Sequence, residues 1–197
     1  MTDPLRLLNF GGGPNSTEVP IVDWDPTNPG TPPNWPNIVS RKYELDVNTD
    51  IDGNLQFYLS QTPAGASTEE SGPVELTVPA DCQIFLSLSG DWNWSFRTPS
   101  SSFPGPAMSM SVPTGAKNTR YFNLDHGPAG QPCKQISFYA QLYVGVPISS
   151  NFDAFNLYIL LDQLDADGNP GTPLAIKLDP DIQNPGDPDP HNIGDGS

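Results

Sequence analysis

Two short stretches of this sequence carry carboxylates at a spacing that suits a hard metal ion. Residues 50–54 read Asp-Ile-Asp-Gly-Asn, and residues 165–169 read Asp-Ala-Asp-Gly-Asn. Asp-x-Asp-Gly places two carboxylates on one side of a turn, which suits Ca²⁺. With their polar neighbours, the candidate calcium ligands are Asp46, Asn48, Asp50, Asp52, Asp162, Asp165 and Asp167. The alternative is that both stretches are hairpin turns, since Asp-Gly between two strands is a strong hairpin signal.

Aromatic side chains form a second kind of candidate site. Trp92, Trp94 and Phe96 alternate along one strand face, which either packs into the core or faces outward as a platform for sugar rings. Tyr139 and Tyr143 fall opposite the apolar face of their strand, so we expect them to be exposed. Exposed aromatic side chains on a sheet indicate a binding surface. The candidate ligand-binding residues are therefore Trp92, Trp94, Tyr139 and Tyr143.

No set of residues in the sequence matches a known catalytic motif. Gly-x-Ser-x-Gly, the phosphate-binding P-loop and Gly-x-Gly-x-x-Gly after a strand are all missing from the sequence. His126 lies in an Asp-His-Gly-Pro turn, and a hydrolase would need a pocket centred on it. The sequence therefore predicts a non-enzymatic protein and no catalytic residues.

Two cysteines leave a structural question open. Cys82 and Cys133 are 51 positions apart, with Trp92 and Trp94 between them. This order resembles the Cys…Trp…Cys pattern of immunoglobulin domains, in which the cysteines are bonded. The alternative is two buried thiols, which the lack of a recognisable signal peptide favours because reducing compartments keep cysteines unpaired.

The elements that must position these residues are strands. Apolar and polar residues alternate with period two in ten stretches, which is typical of antiparallel sheets with one dry face. The predicted strands cover residues 39–47, 54–60, 74–78, 82–88, 92–96, 108–112, 119–124, 135–144, 155–162 and 174–178. No long stretch free of Gly and Pro shows helical spacing. Nine or ten strands predict an antiparallel β-sandwich, either a jelly roll or an immunoglobulin-like fold.

Proline marks both ends of the chain. Residues 1–37 form a Pro- and Gly-rich N-terminal arm, residues 38–179 the sandwich domain, and residues 180–197 an acidic tail rich in Pro and Gly. Proline lacks a backbone donor, so we expect no central strand in the arm. Extended segments of this kind suit docking on neighbouring subunits.

Charge restricts the possible partners. The net charge is −15, and the eight basic residues are scattered along the sequence. Nucleic-acid binding needs a cationic face, so we expect none. The longest apolar runs are too short to span a bilayer, and no cleaved signal is recognisable, which predicts a cytoplasmic protein or one exported by another route.

Three functional hypotheses follow from these observations. The first is a binding or self-assembly module whose partner is a glycan or a second copy of the chain. The second is a calcium-dependent, lectin-like or adhesin-like carbohydrate-binding domain. The third is a hydrolase with an unassigned site.

One resemblance concerns the last quarter of the chain. Residues 155–162, Phe-Asn-Leu-Tyr-Ile-Leu-Leu-Asp, are followed by residues 176–186, Ile-Lys-Leu-Asp-Pro-Asp-Ile-Gln-Asn-Pro-Gly. Together they resemble small acidic bacterial proteins that carry the label "nucleotide synthetase". The resemblance implies a bacterial origin. It does not extend to nucleotide chemistry, because the phosphate-binding motifs of such an enzyme are missing from this sequence.

Overall fold

The computed structural model of the 197-residue chain consists of strands joined by turns and loops, and no helix occurs in the part that it describes. That part comprises residues 16–23, 38–49, 51–52, 55–62, 75–77, 81–90, 93–99, 105–118, 120–141, 152–165, 167–178 and 181–183. Its strands are β1 (Ser16–Pro20), β2 (Val39–Thr49), β3 (Leu55–Thr62), β4 (Glu75–Thr77), β5 (Cys82–Leu88), β6 (Trp94–Phe96), β7 (Met108–Pro113), β8 (Tyr121–Asp125), β9 (Gln135–Ala140), β10 (Phe152–Leu161), β11 (Leu174–Leu178) and β12 (Asp181–Gln183). The predicted all-β sandwich is confirmed.

The strands form two sheets. The five-stranded sheet has the order β3-β2-β5-β9-β8. The seven-stranded sheet is built around β10, the longest of its strands. On one edge β10 pairs with β7 and then with β6; on the other it pairs with β12 and then with β11. β1 extends the sheet beyond β7, and β4 extends it beyond β12.

Most neighbouring strands are antiparallel, but β2 pairs with β5 in parallel, as β12 does with β4. The path of the chain explains the first case. After β3 the chain leaves the five-stranded sheet to add β4 to the other sheet, and it returns on the far side of β2. Strand β5 therefore enters beside β2 and runs in the same direction.

The core lies between the two sheets and draws its side chains from both. Along β5 the residues alternate between buried and half-buried, so that Ile84 and Leu86 face the interior with no exposed surface. Phe155 and Leu157 of β10 meet them from the seven-stranded sheet in the same hydrophobic cluster. Burial of one large apolar side chain contributes about 1.5–3 kcal/mol, so these facing rows are the main source of stability.

Two short strands lie outside the predicted set, β1 in the N-terminal arm and β12 in the C-terminal tail. β1 ends at Pro20 and occupies a sheet edge, the position in which a strand tolerates proline. The chain then crosses to the other sheet. Ile21 is buried in the core, and Val22 bridges Phe122 of β8. Residues 16–23, here called the strap, thus connect the two sheets along one open side.

Cys82 and Cys133 are both free thiols. Cys82 pairs with Ala140 at the end of β9, whereas Cys133 precedes the start of that strand and bridges Phe96. Seven residues along a strand span about 23 Å. Bonded cysteines have Cα atoms less than about 7 Å apart, so the immunoglobulin-like disulfide does not form in this fold.

No helix in the portion described is long and apolar enough to cross a membrane.

Candidate functional site

The outer face of the five-stranded sheet carries a row of three residues from adjacent strands. Ser137 of β9 pairs with Phe85 of β5 on one side and with Asp125 of β8 on the other. Their neighbours Ile84 and Ile136 point into the core, so this row points away from it. Ser137 nevertheless has only 9% of its surface exposed, which shows that the outer face is covered at this point.

A bulge in β8 brings Asp125 into the row. Phe122 pairs with Tyr139 and Asp125 pairs with Ser137, so three steps along β8 match two along β9. The extra residue is accommodated at Asn123, which has a φ of 54°, in the left-handed region that Asn tolerates better than most residues. Bulges of this kind redirect side chains and occur next to functional sites.

The loop between β8 and β9 is fastened to the body of the domain. Asp125 accepts a hydrogen bond from Gly127 N at 3.0 Å, which turns the chain after β8. The hydroxyl of Thr98, itself buried, accepts from Gly130 N at 3.1 Å and donates to Gln131 O at 3.2 Å. Further on, Cys133 O accepts a 2.7 Å hydrogen bond from Phe96 N. These contacts fasten the loop to β6 and to the residues that follow it, in the seven-stranded sheet.

A cavity of about 430 Å³ lies between this loop and the sheet. It is called the Ser137 cavity below. Phe85, Gln135, Ile136 and Ser137 contribute from the strands. The loop and its ends contribute Asp125, His126, Gly127, Pro128, Gln131, Pro132, Cys133 and Lys134. Its volume lies within the usual range for small-molecule sites, and it combines an aromatic ring with several polar groups.

The polar groups of the Ser137 cavity offer both acceptors and donors. Gln135 donates from its side-chain amide to Ser87 Oγ at 2.9 Å, which fixes the amide and leaves its oxygen as an acceptor. His126 Nδ1 lies 3.0 Å from Gly127 O and donates to it in the tautomer with the proton on Nδ1. In that tautomer Nε2 is an acceptor. Asp125 adds a carboxylate and Ser137 a hydroxyl.

Cys133 is the potential nucleophile in the cavity wall. Its thiol donates to Gln135 O at 2.7 Å. Burial, and less strongly the charge of Asp125, raise the pKa of the Cys133 thiol above its usual value. Cysteine nucleophiles need a lowered pKa, because the thiolate is the reactive form. The surroundings of Cys133 therefore do not activate its thiol as a nucleophile.

The predicted aromatic ligands have different outcomes. Trp94 is a core residue, with 2% of its surface exposed and its indole nitrogen donating to Ser89 O at 2.9 Å. Trp94 cannot serve as a platform for sugar rings, because it lies on the face of β6 that packs into the core between the two sheets. Tyr139 lies half-buried on the outer face, two residues after Ser137 and beside the cavity. Trp92 and Tyr143 lie outside the described residues.

The candidate calcium ligands are spread over three places. Asp46 lies on β2 and accepts from Ser89 Oγ at 2.6 Å and from Val47 N at 2.7 Å. Asp52 is in the turn that follows β2, and Asp162 follows β10. The side chain of Asn48 and the whole of Asp50 lie outside the described part of the chain.

Asp165 has a structural role in its turn. Its Oδ1 accepts from Asn169 N at 2.8 Å and from Asp167 N at 2.9 Å. These hydrogen bonds lower the pKa of Asp165 below its usual value, and the one from Asn169 N has the largest effect. Within the described ranges, no three His, Cys, Asp or Glu side chains are grouped closely enough to hold a metal ion. Calcium binding stays a prediction.

Sequence reasoning missed most of the Ser137 cavity. The sequence points to His126 only as the centre of a possible hydrolase pocket, and His126 does line this cavity. The signal for Phe85 was present, since it is a large aromatic residue on the wet face of an otherwise regular strand. Asp125 and Ser137 gave no signal, because their proximity depends on the pairing of β8 with β9.

No protein-family model matches this sequence, and no curated protein is similar enough to indicate a relative. The resemblance of the last quarter to small acidic bacterial proteins stays a prediction. The functional argument therefore depends on the geometry of the chain itself.

Proposed function

We propose that this chain is a non-enzymatic binding module that holds a neutral saccharide in the Ser137 cavity. The observation that carries the proposal is the composition of that cavity. An aromatic ring, Phe85, lies beside a carboxylate, an amide and a hydroxyl within one recess of about 430 Å³. Sugars present an apolar face of C–H groups together with hydroxyls that both donate and accept, so they match such a recess.

Charge favours a neutral ligand over an anionic one. The net charge of −15 repels polyanions at long range. The cavity wall carries one carboxylate, Asp125, and one ammonium group, Lys134, so it has no excess of positive charge with which to hold a carboxylate, sulfate or phosphate group. A hydroxyl donates well to a carboxylate, because hydrogen bonds to ionised acceptors are the stronger kind.

Binding without catalysis fits the state of the cavity side chains. Burial raises the pKa of the Cys133 thiol, whereas a catalytic cysteine needs a lowered pKa. The one observation that favours a hydrolase is the position of His126 in the same wall. A hydrolase is therefore the competing function, and one experiment can separate the two.

The experiment is a titration of neutral mono- and oligosaccharides, followed by protein NMR shifts and calorimetry. We expect saturable binding that Phe85→Ala weakens at least tenfold, a loss of about 1.4 kcal/mol. The matched control is Leu160→Ala, which removes a half-buried apolar side chain from the outer face of the other sheet. It should leave affinity unchanged.

Two results would contradict the proposal. One is the lack of saturable binding to any neutral saccharide at millimolar concentration. The other is an equal effect of the Phe85 and Leu160 variants. Release of reducing ends from an oligosaccharide, abolished by His126→Ala, would replace the binding function by hydrolysis.

A further inference from the structure

One part of the wall of the Ser137 cavity has little packing to hold it in place. Residues 128–132, called the cavity loop below, lie between β8 and β9 and are exposed throughout. Pro128, Gln131 and Pro132 of this loop line the cavity. Exposed residues bury little apolar surface, so burial contributes little to the position of the loop. Its hydrogen bonds must therefore fix the shape of this wall.

The two ends of the cavity loop are fixed by contacts of the residues that flank it. Before the loop, Gly127 N donates to the carboxylate of Asp125 at 3.0 Å. After the loop, Phe96 N donates to Cys133 O at 2.7 Å. Both contacts involve neighbours of the loop, and neither involves a residue of the loop itself.

A single side chain holds the middle of the cavity loop. The hydroxyl of Thr98 accepts a hydrogen bond from Gly130 N at 3.1 Å and donates one to Gln131 O at 3.2 Å. The hydrogen bond from Gln131 N to Pro128 O at 3.2 Å is internal to the loop. Among the residues that the structure describes, Thr98 is therefore the only hydrogen-bond partner of this loop outside the loop itself.

The position of Thr98 in the fold suits it to hold this loop. Thr98 follows β6 of the seven-stranded sheet, whereas the loop connects two strands of the five-stranded sheet. Only 6% of the surface of Thr98 is exposed. A buried β-branched side chain has few rotamers to choose from, so its hydroxyl has a fixed direction. One sheet thus provides a rigid anchor for a loop of the other.

The backbone of the loop can change its conformation when this anchor is lost. Gly127 and Gly130 have φ angles of 68° and 73°, in the left-handed region. Glycine populates this region and several others almost equally, and it loses the most entropy when it is held in one of them. The two hydrogen bonds of Thr98 offset this loss at the middle of the loop.

We propose that Thr98, which does not line the Ser137 cavity, is its positioning residue: the Thr98 hydroxyl holds the cavity loop in the arrangement that receives a ligand. The proposal rests on the saccharide site proposed above and extends that site to a residue of the opposite sheet. Without the hydroxyl, the loop samples other arrangements. The apparent affinity then falls in proportion to the fraction of molecules in which the cavity is formed.

The test compares two substitutions at this position. Thr98→Val keeps a β-branched side chain of similar shape and removes the hydroxyl with both hydrogen bonds. Thr98→Ser keeps the hydroxyl and removes a methyl group. The matched control is Thr17→Val, which removes a threonine hydroxyl from β1, a strand that contributes no residue to the cavity. Circular dichroism of each variant, dominated by strand, confirms that the fold is intact.

The first readout needs no ligand. Hydrogen exchange of the Gly130 amide, followed by NMR, reports directly on the contact with Thr98. We expect exchange about tenfold faster in Thr98→Val than in wild type, and within about twofold of wild type in Thr98→Ser. The amides of Ile84 and Leu86 in the core strand β5 should exchange as slowly in all variants as in wild type.

The second readout is the affinity for neutral sugars. Glucose, galactose and mannose serve as probes in calorimetric titrations of wild type and variants. We expect the sugar that wild type binds best to bind Thr98→Val about tenfold more weakly, in step with the faster exchange of the loop. The affinity of Thr98→Ser and of Thr17→Val should stay within about twofold of wild type.

Three results would overturn the proposal. The first is an exchange rate of the Gly130 amide that is the same in Thr98→Val and wild type. The second is faster exchange with unchanged affinity for the sugar. The third is a loss in Thr98→Ser as large as that in Thr98→Val, because packing of the methyl group would then be responsible. If wild type binds none of the three sugars, the saccharide function fails, and the amide exchange alone decides whether Thr98 positions the loop.

Discussion

Replacing Glu18 by glutamine should weaken the attachment of the strap in a manner that depends on pH. The substitution keeps the size of the side chain and removes its charge. Burial alone would raise the pKa of Glu18, but hydrogen bonds from Lys177 and Tyr158 outweigh it and hold the pKa below its ordinary value. Glu18 is thus a carboxylate whose ionised form stabilises the folded state.

The expected loss is modest, because the contacts are partly exposed. The side chains of Lys177 and Glu18 have 31% and 44% of their surfaces exposed. Ion pairs at this exposure contribute about 0.2–1 kcal/mol. The hydrogen bond from Tyr158 to an ionised acceptor adds a contribution that solvent reduces in the same way. We therefore expect Glu18→Gln to cost about 1 kcal/mol at pH 7, which lowers the melting temperature by roughly 2–4 °C.

The sign of the pH dependence follows from the lowered pKa. A carboxylate with a folded-state pKa below its unfolded value adds stability above the unfolded value, and this stability is lost as the pH falls through the folded value. The difference in unfolding free energy between wild type and Glu18→Gln should therefore be constant from pH 7 to about pH 5. It should shrink as the pH falls below about 4.3, the ordinary pKa of a glutamate, and disappear below the lowered pKa of Glu18.

Urea unfolding followed by tryptophan fluorescence at several pH values measures this difference. Glu44→Gln, on the exposed face of β2, is the matched control for loss of one negative charge. A double-mutant cycle with Lys177→Met isolates the pair, and we expect a coupling energy of about 0.5 kcal/mol. An equal loss at pH 3 and pH 7, or the same loss in Glu44→Gln, would refute the role given to Glu18.

Four further predictions concern the core, the thiols, the bulge and the calcium hypothesis. Leu86→Ala should cost about 2–5 kcal/mol in urea unfolding, because Leu86 has no exposed surface. Cys133 should react slowly with a thiol reagent at pH 7 and faster as the pH rises, because its pKa is raised. Burial raises the pKa of Cys82 to about 11, so Cys82 should react only when the protein unfolds. At Asn123, glycine should be nearly neutral and alanine should cost about 1 kcal/mol, because the positive φ disfavours a Cβ atom. If the chain binds calcium through its Asp-x-Asp-Gly loops, millimolar Ca²⁺ should raise the melting midpoint, and Asp165→Asn should reduce the increase; an unchanged midpoint rejects the hypothesis.

The strands could be predicted from the sequence because alternation is a local signal. Ten stretches with period two correspond to β2 to β11 in chain order. The two strands that were not predicted, β1 and β12, are short and adjoin proline. Proline argues against a central strand. β1 carries its proline, Pro20, at an edge of the sheet, and the three residues of β12 include none.

The contacts of Glu18 could not be predicted, because they depend on topology. Its carboxylate meets Ser109, Tyr158 and Lys177, which lie 91, 140 and 159 positions away. No pattern within a window of ordinary length relates these positions. Only the placement of β1 beside β7, and of β7 beside β10, brings them together. The charge itself was visible in the sequence, but its partners were not.

The Ser137 cavity shows how such a site can leave a trace in a pattern that is otherwise regular. On the wet face of the five-stranded sheet, polar and exposed residues are expected. Phe85 is apolar there, Ser137 is polar but buried, and Phe122 is aromatic and only 3% exposed. These three exceptions lie on β5, β9 and β8, which are neighbours in the sheet. The sequence alone shows Phe85 and Phe122 as isolated aromatic residues. The strand order is needed to show that these two residues and Ser137 mark one covered area. Exceptions of this kind are expected where function competes with folding.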